Sequence, residues 1–457
     1  MKLTSTNPSR NYEVIGEVDV STEQEVHDAV AKARAAQPAW AALSQKERNE
    51  AVTSFVEICR QHVEDVAVIT SKEMGKPISQ ARAQVNEALD YFNDYMAMAE
   101  KALEPEVVFE NATERHHLTR EPLGVVICIT PWNFPFLNIP WQAGQALIAG
   151  NTIIYKPSEE ILLFAKLISE LITESALPDG VFTVLFGDGA VGEALVTQPV
   201  EAILFTGSSR TGQHITELAA KNSTRVLSEM GGSAPGIVFE DADVPAIIDT
   251  LYAMRFDNSG QYCDGLKRLI VHESKLDEVL EALTRVNSGK RVGDALEEST
   301  DIGPLVAERQ VHTLKEQVQD ALDKNAHILF GGKAPADLKG AYYEPTVLTN
   351  ITPDMRVWRE EVFGPVLPVV TFKNEAEAVK LANDTIYGLG AFVFTADKER
   401  YFRVARQLQT GIVAHNNALY FSTDSPFGGY KRSGNSRTGG IEGFHEVTQI
   451  KLVSEEK

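Results

Sequence analysis

Three cysteines occur in the 457 residues, at positions 59, 128 and 263, and their surroundings differ. Cys128 lies inside the apolar run Val125-Val126-Ile127-Cys128-Ile129, and Cys59 lies beside Ile58 on an amphipathic stretch. Both read as small core side chains. Cys263 lies between glycines and polar residues in Gly260-Gln261-Tyr262-Cys263-Asp264-Gly265, a loop-like setting that makes it the candidate thiolate. Glu229, immediately before Met230-Gly231-Gly232, is the candidate base. Asn133 is bracketed in Thr130-Pro131-Trp132-Asn133-Phe134-Pro135. Rigid flanks can fix its amide as a donor to a developing oxyanion. The same residues also describe a proline-rich turn with Asn as its hydrogen bonder.

Two glycine-bearing stretches are candidates for phosphate. Gly187-Asp188-Gly189-Ala190-Val191-Gly192 has the spacing of a dinucleotide fingerprint, but no acidic residue follows at the distance that would hold a ribose, so a plain tight turn fits equally. Phe205-Thr206-Gly207-Ser208-Ser209-Arg210-Thr211-Gly212 leads into a predicted helix start, where backbone amides attract anions. An ordinary hydroxyl helix cap would need only Ser208 or Ser209.

The elements that must position these residues fall into blocks. The first hundred residues read as helices. Val26, Ala29, Val30 and Ala33 share one helical face, Thr22 with Glu25 and Ser44 with Glu47 form capping boxes, and a third amphipathic stretch runs from about Ile78 to Leu103. From Leu123 short β-branched runs alternate with helical stretches: 123–129, 152–155, 181–186, 202–206 and 225–227 as strands, 161–175 as helix. That alternation predicts a parallel sheet covered by helices, with ligands beyond the carboxyl ends of its strands. The Gly-rich stretch 229–236 interrupts the pattern, and a second α/β unit follows to about Thr423. Residues 424–443 read as loop and 446–453 as a last strand.

Composition excludes several classes. The chain is 43% hydrophobic and 23% charged, ordinary globular values, with a formal charge of −21. That field repels a phosphate backbone and an anionic membrane surface, so neither nucleic acid nor membrane is an expected partner. No apolar run reaches a membrane span, and no apolar segment follows Lys2 as in an export signal. A sparse, odd cysteine set points to a reduced, cytoplasmic protein. His116-His117 lack ligand spacing with any cysteine, so no metal is expected.

The motifs in this order resemble the NAD(P)-dependent aldehyde dehydrogenase superfamily, its compact bacterial succinate-semialdehyde-dehydrogenase-like branch in particular. The resemblance covers almost the whole chain. It rests on the Pro-Trp-Asn stretch, Lys156-Pro157-Ser158-Glu159, Phe205-Thr206-Gly207-Ser208, Glu229-Met230-Gly231-Gly232, Gly260-Gln261-Tyr262-Cys263, Glu360-Glu361-Val362-Phe363-Gly364-Pro365 and Pro426-Phe427-Gly428-Gly429-Tyr430-Lys431. It implies two Rossmann-like α/β domains with a small β oligomerisation arm. The cofactor domain would span 1–107 and 120–231, the catalytic domain 232–435, and the arm 108–119 with 443–457, giving a homodimer or homotetramer.

By the same resemblance Cys263 is the nucleophile, Asn133 and the Cys263 N–H hold the oxyanion, and Glu229 is the general base. Lys156 and Glu159 would meet the adenosine ribose, and Gly187 would line the adenine end. Gly207 and Ser208 would meet the pyrophosphate. Glu361 would hold the nicotinamide ribose, with Phe363 and Trp132 near it. Glu159 beside the ribose implies NAD in preference to NADP. Phe134, Leu137, Trp141, Tyr262, Asp264, Phe421 and Phe427 would surround a substrate tunnel suited to an apolar or aromatic aldehyde. Trp141 stands where some succinate-semialdehyde enzymes carry Arg, and Asp264 disfavours an anion and would suit an aminoaldehyde. General aldehyde oxidation therefore comes first and the semialdehyde second. A CoA-acylating enzyme is disfavoured by Glu229, and a Cys-dependent esterase leaves the cofactor motifs unexplained. A non-catalytic role has no support while Cys263, Asn133 and Glu229 are intact. Ser233 and Ser436 depart from the family pattern, which has Lys or Asn at the first position and Gly at the second.

Overall fold

The computed structural model describes residues 1–418 and 420–457. The chain opens with an antiparallel hairpin, β1 (Lys2–Asn7) and β2 (Glu13–Asp19), which the helical reading of the first hundred residues misses. Its strands are largely polar, so no apolar alternation announces them. Helices Glu23–Ala42, Gln45–Gln61, Val63–Met74 and Ile78–Ala102 follow. Both predicted capping boxes form, and Val26, Ala29, Val30 and Ala33 are buried as their spacing requires. β3 (Glu106–Glu110) and β4 (Glu114–Pro122) then leave the globule.

The next five strands form one parallel sheet: β5 (Val125–Thr130), β6 (Thr152–Pro157), β7 (Phe182–Val184), β8 (Ala202–Gly207) and β9 (Arg225–Met230). Their order is β7-β6-β5-β8-β9. The chain winds outward from β5 and then returns to its other side. The connections after β5 and β8 diverge there, which opens a crevice at the carboxyl ends. Asn133 and Ser208 follow those two strands. Cys128 and Tyr155 lie in the fully buried core of this sheet, as expected for Cys128. Glu73 supplies a remote helix cap. Its carboxylate accepts from the N–H groups of Leu163 (2.8 Å) and Phe164 (2.8 Å) at the start of helix Leu162–Glu174, and from the Ser5 hydroxyl (2.6 Å).

Residues 231–233 carry the chain into a second sheet: β10 (Ala234–Val238), β11 (Leu266–His272), β12 (His327–Phe330), β13 (Thr346–Thr349), β14 (Val366–Phe372), β15 (Phe392–Phe394) and β16 (Ala414–His415). The order is β12-β13-β14-β11-β10-β15-β16, parallel except at the β12–β13 pair. The short link brings the carboxyl ends of the first sheet to the amino edge of the second. Glu229 therefore belongs to β9, and the stretch from 229 does not begin an interruption: the strand runs on to Met230. A short helix, Gly440–Glu446, also begins inside the segment 424–443 that reads as loop and runs past its end. The last strand, β17 (Thr448–Glu456), pairs antiparallel with β4, giving a three-stranded arm ordered β17-β4-β3.

Candidate active site

A cavity of about 290 Å³ lies where the two sheet edges meet. The first sheet contributes Trp132 and Asn133 after β5, Gly207 at the end of β8 with Ser208 after it, and Glu229 from β9. The second contributes Cys263 and Asp264 from just before β11, and Glu361 and Phe363 from just before β14. Beyond-the-carboxyl-end logic thus locates half the site. Cys263 and Glu361 lie at the opposite strand ends, which that rule does not search.

The loop bearing Cys263 is tightly constrained. Asn258 (φ 48°), Ser259 (φ 55°) and Gly260 (φ 71°) are successive left-handed residues, a conformation that costs free energy at non-glycine positions. A Cβ at Gly260 would lie 2.5 Å from the Gly364 carbonyl. The loop is tied to the Asn133 turn from both sides. The Asn133 amide Nδ2 donates to the Gln261 carbonyl (2.9 Å), while the Asn133 carbonyl accepts from Asn258 Nδ2 (3.1 Å) and Lys76 Nζ (2.9 Å). One Asn133 N–H is thereby spent on orientation, and an amide carries a second.

Two buried carboxylates share this cavity with the thiol. Glu229 Oε1 accepts from the Ser436 hydroxyl (2.9 Å), and Glu229 Oε2 is buried with no donor among the described residues. Burial pushes the Glu229 pKa well above the ordinary carboxylate range, against the pull of Ser436 and Arg437. Asp264 has both oxygens engaged: Oδ1 receives the Cys263 thiol (Sγ to Oδ1 3.6 Å), and Oδ2 receives the Tyr420 hydroxyl (2.5 Å). Burial raises both the thiol and the Asp264 carboxyl, and Asp264 raises the thiol further.

Lys267, fully buried on β11, donates to the carbonyls of Gly232 (2.8 Å) and Cys263 (2.9 Å) and pairs with Glu361 Oε1 (2.5 Å). It joins the Cys263 loop to the Glu361 carboxylate before β14 and opposes the rise of the Cys263 pKa. Ser436, Tyr420 and Lys267 escape the sequence reading. Only Ser436 gave a signal, as a residue out of pattern.

The remaining predicted residues divide. Phe363 meets Trp132 edge to face at 5.6 Å. Ser208 caps helix Ser209–Ala219 through the Thr211 N–H (3.2 Å), so the capping alternative is realised at a turn that also lines the cavity. Gly187 sits in a tight turn where a Cβ would meet Val191 at 2.3 Å, and Asp188 caps the helix Gly189–Val196 that follows. Gly187, Lys156 and Glu159 lie outside the cavity, toward the β6 and β7 side. Phe134, Trp141, Asp264, Phe421 and Phe427 line the cavity, and Trp141 packs on Phe421 (5.8 Å) and Phe427 (5.2 Å). Leu137 and Tyr262 line an adjoining space of about 300 Å³ that shares Phe134, Trp141 and Phe421. Among the described residues no cluster of His, Cys, Asp or Glu could hold a metal ion.

The fold and site together define an α/β protein with a nucleotide-type switch point opening onto a partly exposed thiol. Comparison with known proteins makes the class specific. The chain belongs to the aldehyde dehydrogenase family, whose model matches residues 1–453. It is 36% identical to the NADP(+) succinate-semialdehyde dehydrogenase GabD of Escherichia coli, over 98% of this chain and 93% of that protein. It is equally 36% identical to the betaine aldehyde dehydrogenase of Bacillus subtilis, over 97% of this chain and 92% of that one. The crystal structure of an NAD-dependent aldehyde dehydrogenase from Sinorhizobium meliloti superposes with a TM-score of 0.96 at 36% identity, covering 100% of this chain and 91% of that one.

Proposed function

We propose that the protein oxidises an aldehyde to the carboxylic acid through Cys263, with NAD as the preferred cofactor. The observation that carries this is the sharing of one buried cavity by the Cys263 thiol, the oriented Asn133 amide and the donorless Glu229 oxygen. Cys263 Sγ adds to the carbonyl carbon, and the Asn133 amide with the Cys263 N–H receives the resulting oxyanion. NAD(P), when bound, supplies the hydride acceptor that turns such an adduct into a thioester. Glu229 Oε2 then takes a proton from the water that attacks the thioester, releasing the acid. A carboxylate in that place favours water over CoA as the acyl acceptor.

The cofactor fits the residues present. The amino end of helix Ser209–Ala219 and the Gly207–Ser208 turn offer amides to the pyrophosphate. Glu361, with one oxygen on Lys267, would offer its second to the nicotinamide ribose, and Phe363 and Trp132 would help to hold the ring. Gly189 has no heavy atom within 4 Å of where a Cβ would stand, and Lys156 lies 3.8 Å from that point at Gly192, so the turn is open on the adenine side. Glu159, exposed after β6, accepts from a ribose hydroxyl and repels a 2′-phosphate. The GabD relative carries NADP(+) in its name, so the NAD preference rests on Glu159. The ratio of kcat/KM for the two cofactors tests it: NAD should lead, and an NADP lead refutes it.

For the substrate, the two cavities carry aromatic walls and the carboxylates Glu229, Asp264, Glu361, Glu87 and Asp257. Their only cation among the described residues is Lys76, already spent on Gln84 Oε1 (2.8 Å) and the Asn133 carbonyl. Such a lining supports an uncharged apolar or aromatic aldehyde over a carboxylate-bearing semialdehyde. An aldehyde panel followed by reduced-nicotinamide absorbance should give benzaldehyde a higher kcat/KM than succinate semialdehyde, and the reverse order restores the semialdehyde reading. The arm supports a homodimer or homotetramer. Val107, Val108 and Phe109 on β3 and Ile450, Leu452 and Val453 on β17 are exposed on a sheet with open edges. Sedimentation as a monomer refutes that. The boundaries 1–107 with 120–231, 232–435, and 108–119 with 443–457 are proposed as the cofactor, catalytic and assembly units. A cytoplasmic setting is proposed with them; no helix among the described residues is long and apolar enough to cross a membrane.

A further inference from the structure

The proposed chemistry leaves one question at its first step: the group that takes the proton from Cys263. Burial and a neighbouring carboxylate both favour the protonated thiol, so the attacking thiolate has to be made at the moment of attack. Glu229 already has a task in the second half of the reaction. Among the described residues it has Ser436 on one oxygen and no donor on the other.

Asp264 is differently placed. Its Oδ1 is the acceptor of the Cys263 thiol at 3.6 Å, and it lines the same cavity as the sulfur. Its Oδ2 is held by the Tyr420 hydroxyl at 2.5 Å, which fixes the carboxylate plane toward the thiol and favours its ionised form. Asp264 is 1% exposed, so no bulk water competes for Oδ1. The other titratable groups around the pair are Lys267, whose Nζ reaches the Cys263 carbonyl from β11, together with Glu361 and Tyr262. Lys267 cannot accept a proton while it serves as a triple donor, and Tyr262 is held in its neutral form by burial. Glu361 is paired to Lys267.

We infer that Asp264 is a second catalytic carboxylate, the proton acceptor for Cys263 in the first half-reaction, leaving Glu229 to the second. The inference rests on Cys263 being the nucleophile. In the step, the Cys263 S–H bond breaks and its proton passes to Asp264 Oδ1. The electron pair left on sulfur forms the S–C bond, and the carbonyl π pair moves onto oxygen. No oxidant or reductant is needed. The net charge of the pair is the same before and after the transfer, which suits a buried site that penalises new charge.

This gives the thiol a signature that cofactor-free protein can show. Proton exchange within a thiol–carboxylate pair does not depend on pH, whereas loss of a thiol proton to solvent makes thiolate rise about tenfold per pH unit below its pKa. The experiment is the rate of Cys263 alkylation by iodoacetamide between about pH 6 and pH 8. Cys59 and Cys128 are fully buried, so a folded chain takes one label. The wild-type rate should be nearly flat across the range. Asp264→Asn should rise about tenfold per unit, and Glu229→Gln should stay flat. A wild-type rate that itself rises tenfold per unit overturns the inference. So does a plateau lost in Glu229→Gln and kept in Asp264→Asn. If Asp264→Asn labels more than once per chain it is misfolded, and Asp264→Ser, labelled once, decides by the same slope. Cys263→Ser separates the two claims. If it retains a burst of reduced nicotinamide with aldehyde, the nucleophile reading fails. If the burst is lost while wild-type alkylation tracks pH, only the role of Asp264 fails.

Discussion

The end of β9 and the loop before β11 each present a fully buried carboxylate to the same cavity, and the two are satisfied in opposite ways. Among the described residues Glu229 has one oxygen held by Ser436 and one with no donor, while Asp264 has a thiol on one oxygen and a phenol on the other. Equal burial raises both, so burial does not distinguish them. Their partners do. A carboxylate with a bare oxygen is prepared for a ligand that arrives late, such as a water. One already bonded to a thiol is committed to that thiol. The lesson is that a buried base is assigned by what its second oxygen meets.

Under the proposed mechanism the largest effect belongs to Cys263, the group both carboxylates would serve. Cys263→Ser should lower aldehyde oxidation by roughly 10⁴-fold or more, read as steady-state turnover. Glu229→Gln comes next, with kcat down about 10²–10⁴-fold while a single burst of reduced nicotinamide persists in stopped flow. Loss of the burst would place Glu229 in the first half-reaction and break the comparison.

Ser436→Ala sharpens it. As the proposed base, Glu229 would act only when ionised, so kcat should fall as pH falls through its raised pKa. The Ser436 hydroxyl favours the ionised form, and its removal should move this limb upward by about one pH unit. An unmoved limb would make the contact incidental. Asp264→Asn should lower KM for a carboxylate-bearing aldehyde relative to a neutral one by about three- to tenfold, since one repelling charge is removed.

A third buried carboxylate, Glu73, is the control. Burial pushes its pKa up to about 7 against three donors that pull it down. Glu73→Gln should cost about 1–3 kcal/mol of stability in chemical denaturation and leave the pH profile of kcat unchanged.

Much of this was legible in the sequence because its signals are local. The capping boxes at Thr22 and Ser44, the amphipathic face from Ile78 and the short β-branched runs each declare themselves within a few residues. Cys263 stood apart from Cys59 and Cys128 by the polarity of its neighbours alone. The polar hairpin β1–β2 was not legible, since its order comes from contacts such as Ser5 to Glu73, 68 residues away. Nor was the placement of Cys263 and Glu361 at the amino edges of strands, which depends on how residues 231–233 join two sheets. Ser436, Tyr420 and Lys267 reach their partners across folded distance or by strand geometry, and single positions do not announce that. The Gly187 motif shows the converse: a legible pattern whose local geometry is a tight turn and helix cap.

The central claim is a covalent acyl intermediate on Cys263 that Glu229 resolves. Its most direct test is peptide mass spectrometry of Glu229→Gln, quenched after mixing with NAD and benzaldehyde. The account predicts a benzoyl group on the peptide carrying Cys263 and on no other. An unmodified Cys263 peptide accompanying a full burst, or an acyl group at Cys59 or Cys128, would contradict it.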